Sequence, residues 1–191
     1  MTKKLSDEQL VLNYSKGDVA SFEEIYERHK GALFRYCLRN FKQRAVAEEC
    51  FQEIWMKIIK NRERYQPKAL FTTYLYRIAQ NTIIDCYRKD KKRLQDCEFD
   101  EQSLGRQYPD NDDTPAIQQQ TKLQVMELRK QIANLPFEQR NTLLLKLNSD
   151  LSLEEIATIL NCGKETVKSR LRYATSKLRV LISNPMDEKF K

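Results

Sequence analysis

The chain has 191 residues, of which 40% are hydrophobic and 32% charged, and it carries 34 Lys and Arg against 27 Asp and Glu, a net charge of +7. Only 4 Gly and 5 Pro argue against a strand-and-turn architecture, and no apolar run is long enough to span a bilayer. Five cysteines (Cys37, Cys50, Cys86, Cys97, Cys162) without a CxxC pair, and His29 as the one histidine, exclude a disulfide scaffold and a zinc site. The N-terminus has a basic start without an apolar core after it, so the expected location is the cytoplasm and the cysteines are expected as reduced thiols in helix packing. The positive balance favours a polyanionic partner, though it fits DNA, RNA or a membrane surface equally.

Leu5-Ser6-Asp7-Glu8-Gln9 has the pattern of a staple and capping box opening a first short helix, which ends at Gly17-Asp18. Apolar spacing predicts a second helix over Val19 to Arg39, with Phe22, Ile25, Tyr26, Leu33 and Tyr36 inward. A third runs from Ala45 to Lys60 on Cys50, Phe51, Ile54, Ile58 and Ile59. Pro67 marks a loop, and a fourth helix follows from Leu70 to Arg93 with Leu75, Ile78, Ala79, Thr82 and Cys86 inward. These four make a first domain, residues 1–95.

The hydrophobic period then vanishes over 96–115, where seven acids face only Arg106, directly after the basic cluster Arg88 to Arg93. That composition predicts an acidic linker. The second domain, 116–191, opens with a helix over Ala116 to Asn134, breaks at Leu135-Pro136, and continues with a helix over Phe137 to Leu147. The expected fold is therefore all-α, two small helical domains joined by an acidic linker.

The C-terminal domain carries a helix-turn-helix. Leu153, Ile156, Ala157 and Leu160 give the i, i+3, i+4, i+7 face of a supporting helix, which Ser152 can cap with Glu155 three positions on. Asn161-Cys162-Gly163 is the turn, and a second helix from Lys164 turns Val167, Leu171, Ala174 and Leu178 inward. Its outer positions hold Lys164, Lys168, Arg170, Arg172, Lys177 and Arg179 against one acid, Glu165, where an ordinary solvated helix would mix signs. Such a face can neutralise successive phosphates, while Lys168, Ser169 and Arg172 share the side that would meet base edges.

The fourth helix adds a second nucleic-acid signal. Phe71, Tyr74, Tyr76 and Tyr87 are interleaved with Arg77, Arg88 and Lys89. Aromatic faces stack unpaired bases and the cations track a single strand, although aromatics at helical spacing serve a core just as well.

Taken together, GDVASFEEIYERH from Gly17, AEECFQEIW from Ala47, FTTYLYRIAQNTIIDCYRK from Phe71, LPFEQR from Leu135, EEIATIL and ETVKSRL closely resemble the bacterial RNA polymerase sigma factors of the extracytoplasmic-function type, the group-four branch of the sigma-70 family. The resemblance covers almost the whole chain. It implies that the first domain binds core RNA polymerase and melts and reads the minus-ten element, while the second reads the minus-thirty-five element of promoter DNA. It places Glu49, Gln52, Glu53 and Met56 on the polymerase-facing helix, and Phe71, Tyr74, Arg77, Asn81 and Arg88 on the minus-ten strand. Asn81 falls where a flipped-out base is held, a task suited to an amide with both donor and acceptor. It puts Lys164, Glu165, Lys168, Ser169, Arg170, Arg172 and Tyr173 on the minus-thirty-five duplex. Tyr74 stands where the family most often has tryptophan, and Tyr173 where many members have arginine.

By the same resemblance the linker threads the polymerase cleft, where its acids imitate nucleic acid, and a membrane-bound anti-sigma protein is a further expected partner. No cofactor is expected and no catalytic residue: paired carboxylates, a nucleophile triad and a phosphate-cradling glycine loop are all missing from the pattern. The alternative is a stand-alone helix-turn-helix regulator, which would bind duplex tightly without polymerase.

Overall fold

Ser6 caps the first helix as its sequence requires: its hydroxyl accepts from the Gln9 N–H at 3.3 Å, while the Gln9 side chain accepts from the Ser6 N–H at 3.1 Å. In the computed structural model, which describes residues 5–41, 43–96, 118–148 and 151–183, this helix is α1 (Asp7–Ser15). Gly17 at φ +104°, a value that side chains disfavour, reverses the chain into α2 (Val19–Asn40). α3 (Arg44–Lys60) and α4 (Phe71–Asp96) complete the first group, with a short 3-10 turn at Arg62–Arg64 that the apolar spacing does not signal. α4 runs three residues past the expected end at Arg93 and takes in Asp96, the first expected linker residue. The rest of the acidic stretch, from residue 97 to 115, lies outside the described residues.

The second group is α5 (Gln118–Ala133), α6 (Phe137–Asn148), α7 (Leu153–Leu160) and α8 (Lys164–Ser183). Among the described residues all regular structure is helical. Pro136 starts α6 from outside, its carbonyl accepting from the Arg140 N–H at 2.9 Å.

The first group is held by the stripes its spacing predicts: Ile25, Leu33, Tyr36, Cys50, Ile54, Leu75 and Ala79 are buried, at 1% exposure or less. Each large aliphatic among them contributes roughly 1.5–3 kcal/mol by leaving water. Trp55 and Ala47 also belong to this core, and Trp55 packs edge-on to Phe22 at 5.9 Å. Asp7 pins α1 to α2, with Oδ1 2.5 Å from Arg28 Nη1 and Oδ2 2.6 Å from His29 Nε2. Burial by itself would raise the Asp7 pKa, but the hydrogen bonds and charges of Arg28 and His29 outweigh it and hold the carboxyl below its ordinary value.

The two groups are in direct contact. α6 lies against α2 and α7 against α4. One contiguous apolar cluster holds Ile54 and Leu75 from the first group together with Leu144, Leu145 and Ile156 from the second. A small satellite of Leu135, Leu143, Ala174 and Leu178 secures α8 to α6.

Candidate nucleic-acid and polymerase interfaces

In the helix-turn-helix, Ser152 Oγ accepts from the Glu155 N–H at 3.2 Å and Glu155 Oε2 accepts from the Ser152 N–H at 2.8 Å, closing the reciprocal cap. α7 stops because Asn161 adopts the left-handed conformation (φ 49°, ψ 49°), which lets the Cys162 N–H reach back to the Ala157 carbonyl at 3.0 Å. Asn tolerates that conformation better than most residues. Ile156, Ala157 and Ile159 are buried, and on α8 so are Val167, Ala174 and Leu178, with Leu171 half-buried.

The outer face of α8 leaves Lys164, Glu165, Lys168, Arg172 and Tyr173 exposed and Ser169 and Arg170 half-buried. Its cations are partly engaged. Lys168 Nζ lies 2.6 Å from Glu165, and Lys164 pairs with Glu154 on α7. These hydrogen bonds lower the pKa of Glu154 and Glu165 and raise that of Lys164. Arg170 turns away from the outer face and binds Glu138 on α6 at 2.7 Å. The Arg172 guanidinium lies over the Tyr173 ring, 5.2 Å from its centroid, so the two exposed side chains form a cation-π pair.

On α4 three faces separate. Phe71, Leu75, Ala79, Thr82 and Cys86 are buried, as are Thr73, Tyr76 and Gln80, and Arg77, Asn81 and Arg88 are exposed. Phe71 requires a correction: it is fully buried, ringed by His29, Tyr65 and Tyr74 at 5.3, 6.3 and 6.2 Å, so it is a core side chain with no free face for a base. Its N–H donates to Glu8 Oε1 at 2.8 Å, which fastens the start of α4 to α1. Tyr76 is likewise buried, edge-on to Tyr36 at 5.3 Å. Tyr74 is half-buried beside Tyr65, whose pKa burial pushes up to about 12. Tyr87 is exposed and packs on Phe137 at 5.2 Å.

On α3, Glu49, Gln52 and Met56 are exposed and share one side by their i, i+3, i+7 spacing. Glu53 turns inward instead. Its carboxylate lies 3.1 Å from Lys57 Nζ and 3.8 Å from Lys89 Nζ and accepts from the Cys86 thiol at 3.7 Å, so it ties α3 to α4. Beneath it the Cys50 thiol hydrogen-bonds with those of Cys37 and Cys86; the Cys37 contact and burial drive the Cys50 pKa well up against the opposing effect of Cys86, and the Cys50 contact and burial drive the Cys86 pKa well up. Among the described residues no group of three or more His, Cys, Asp or Glu is arranged to hold a metal ion, and no helix is long and apolar enough to cross a membrane.

Between the helix groups lies a constellation that sequence spacing does not reveal. The Tyr36 hydroxyl lies within hydrogen-bonding reach of the side-chain oxygens of Asn141 and, at 3.1 Å, of Gln80, and gives its single proton to one of them, while Asn141 Nδ2 donates to the same Gln80 oxygen. Thr73 donates to Glu155 Oε1 at 3.2 Å, and Arg140 donates to the Asn40 carbonyl at 3.4 Å and the Ala133 carbonyl at 2.8 Å. Apart from Tyr36, which the apolar spacing turns inward, these polar types read as surface positions.

Two family models match the chain, Sigma-70 region 2 over residues 25–93 and Sigma-70, region 4 over residues 125–178. Over 171 residues it is 30% identical to the ECF RNA polymerase sigma factor SigW of Bacillus subtilis, covering 86% of this chain and 90% of that protein. The chain belongs to the ECF RNA polymerase sigma factors.

The ECF sigma factor EcfG of Rhodopseudomonas palustris is 29% identical over 136 residues, 71% of each chain. Two solved structures share the fold: CnrH in complex with the cytosolic domain of CnrY (TM-score 0.67, 19% identity, 93% of this chain and 97% of that one), and RpoE in complex with the anti-sigma factor NepR from Bartonella quintana (TM-score 0.68, 24% identity, 87% and 99%). In this sigma factor the region 2 match takes in most of α2 and all of α3, and the region 4 match takes in the helix-turn-helix. As a sigma factor it binds core RNA polymerase and promoter DNA and directs transcription initiation.

Proposed function

We propose that this sigma factor reads a two-part promoter, with α8 in the major groove of the minus-thirty-five duplex and the exposed face of α4 on the unpaired minus-ten strand. The exposed Lys168, Arg172 and Tyr173 on a helix anchored by Val167, Ala174 and Leu178 carry the first assignment. Lys164, Glu165 and Ser169 flank them, and Arg170 joins if its bond to Glu138 is exchanged for a phosphate. On α4, Arg77 and Arg88 track phosphates, Asn81 hydrogen-bonds an extruded base and Tyr74 offers the aromatic edge. Phe71 acts only by supporting Tyr74. Glu49, Gln52 and Met56 meet core polymerase, with Glu53 orienting their helix from behind.

The domain bounds we assign are 1–95 and 116–191, with 96–115 as an acidic tether that lies along basic walls of the polymerase. The protein works in the cytoplasm and is not itself an enzyme, since polymerase supplies the phosphodiester chemistry. An anti-sigma protein is its regulator, a reading supported by the complexes in which the two structures that share its fold were solved, one of them with the anti-sigma factor NepR. The deciding experiment adds the purified chain to sigma-free core polymerase and a promoter library. Start-site-specific transcripts that disappear with Asn81→Ala or Arg172→Ala are expected, and their complete absence with a competent core refutes the proposal.

A further inference from the structure

α1 and α7 each open on a serine whose hydroxyl caps them, Ser6 accepting from the Gln9 N–H and Ser152 from the Glu155 N–H. α4 has no such provision of its own. The segment before it reads Gln66-Pro67-Lys68-Ala69-Leu70, and its first turn holds no acid. The cap position falls on Leu70, whose carbonyl accepts from the Tyr74 N–H at 3.2 Å. A leucine side chain offers no acceptor to the amides that the first turn of a helix leaves unpaired. The acceptor comes instead from 63 positions away, where Glu8 Oε1 takes the Phe71 N–H at 2.8 Å. Burial alone would raise the Glu8 pKa, but the hydrogen bonds it accepts, that from Phe71 foremost, hold it below its ordinary value. An ionised carboxylate thus faces the positive end of α4.

α1 is anchored to serve as that support. Leu10 and Val11 are buried, and Arg28 of α2 binds Asp7 Oδ1 at 2.5 Å and the Leu5 carbonyl at 3.0 Å. His29, bound to Asp7 at 2.6 Å, places its ring 5.3 Å from that of Phe71. The first residue of α4 is therefore held at its amide by Glu8 and at its ring by His29. Tyr74 depends on that hold twice. Its N–H closes the first turn on Leu70, and its ring meets those of Phe71 and Tyr65 at 6.2 and 5.0 Å. A turn that frays from Phe71 displaces Tyr74 first, whereas Asn81 lies about two turns further along the helix.

We propose that Glu8 is a positioning residue for minus-ten reading, a helix cap delivered from α1 that keeps the first turn of α4 closed and Tyr74 in place on the unpaired strand. The inference rests on the assignment of Tyr74 and Asn81 to that strand, and the test separates the two.

Open-complex formation is measured with core polymerase on a promoter selected by the wild-type chain, through a fluorescent adenine analogue placed in the minus-ten element. Glu8→Ala is expected to slow it about fivefold, the equivalent of a helix cap worth about 1 kcal/mol. Leu70→Ser, at a site 57% exposed, adds a local cap without adding charge. Combined with Glu8→Ala, it is expected to bring the rate back within about twofold of the wild type. In a Tyr74→Ala background Glu8→Ala should change the rate by less than about twofold, because the group it positions is gone. A loss that persists undiminished without Tyr74, or that Leu70→Ser fails to repair, overturns the positioning role, as does an unchanged rate in Glu8→Ala. If Tyr74→Ala and Asn81→Ala both leave the rate unaltered, the minus-ten reading falls and the role of Glu8 with it. If they slow it and Glu8→Ala does not, only the role of Glu8 falls. Independently of any promoter, hydrogen exchange of the Phe71 to Tyr74 amides in the free chain is expected to be about fivefold faster in Glu8→Ala at unchanged helical content, and unchanged exchange overturns the cap.

Discussion

Glu155 carries two bonds with one carboxylate, and that allows the contact between the helix groups to be measured in solution. Oε2 accepts from the Ser152 N–H at 2.8 Å within the α7 cap, whereas Oε1 accepts from Thr73 of α4 at 3.2 Å. Thr73→Val keeps the shape of a side chain that is 5% exposed and removes only the hydroxyl. At 3.2 Å the bond is long for a hydroxyl donor, so despite the charged acceptor its loss is expected to cost about 1 kcal/mol. Glu155→Ala removes that bond and the cap bond, for about 2 kcal/mol in total. Because the interdomain bond can be lost only once, the double variant should lose about 2 kcal/mol rather than about 3, a coupling of about 1 kcal/mol. Urea unfolding at constant slope reads all four proteins. Losses that add within about 0.3 kcal/mol would refute the contact, and with it the placement of α7 on α4.

Three further outcomes are expected. Asp7 has its pKa held below the ordinary 3.8, so its stabilising effect is complete above that value and is lost as pH falls through the lower folded value. Urea midpoints of the wild type should therefore fall below about pH 4, and Asp7→Asn should be less stable at pH 7 with a flatter acid limb. Phe71→Ala, at a fully buried site, should lose about 3–5 kcal/mol in unfolding experiments, whereas Asn81→Ala on the exposed face should stay within about 0.5 kcal/mol while weakening open-complex formation. Lys168→Ala should lower the salt slope of duplex binding by the polymerase complex by about 1; an unchanged slope would show that Glu165 retains the ammonium instead of a phosphate.

Periodicity located these helices because each buries one stripe, and Leu75, Ala79 and Cys86 recur where a 3.6-residue period puts them. The Ser152 cap was equally legible, since a capping box is local chemistry at fixed spacing. The aromatics of α4 were not resolved by the same means. Phe71 and Tyr76 look like Tyr74 and Tyr87 in sequence, and only the position of α1 and of Tyr36 decides which of them are enclosed. The resemblance groups Glu53 with the polymerase-facing residues, but its carboxylate bends towards Lys57 and Lys89. Gln80, Arg140 and Asn141 were invisible for a different reason. Polar side chains become interior only when distant partners satisfy them, and partners 44 to 105 positions apart leave no mark in a local pattern.

The thiols beneath Glu53 give the first helix group a built-in reporter. Cys37, Cys50 and Cys86 are 0%, 0% and 6% exposed, so an alkylating reagent finds no access to them while α2, α3 and α4 stay packed, and Cys50 and Cys86 are in addition held against deprotonation. Cys162, half-buried at the turn of the helix-turn-helix, lies apart from them. Mass spectrometry of the wild-type chain after timed alkylation can thus follow unpacking of the first group separately from loosening of the second, with no label introduced.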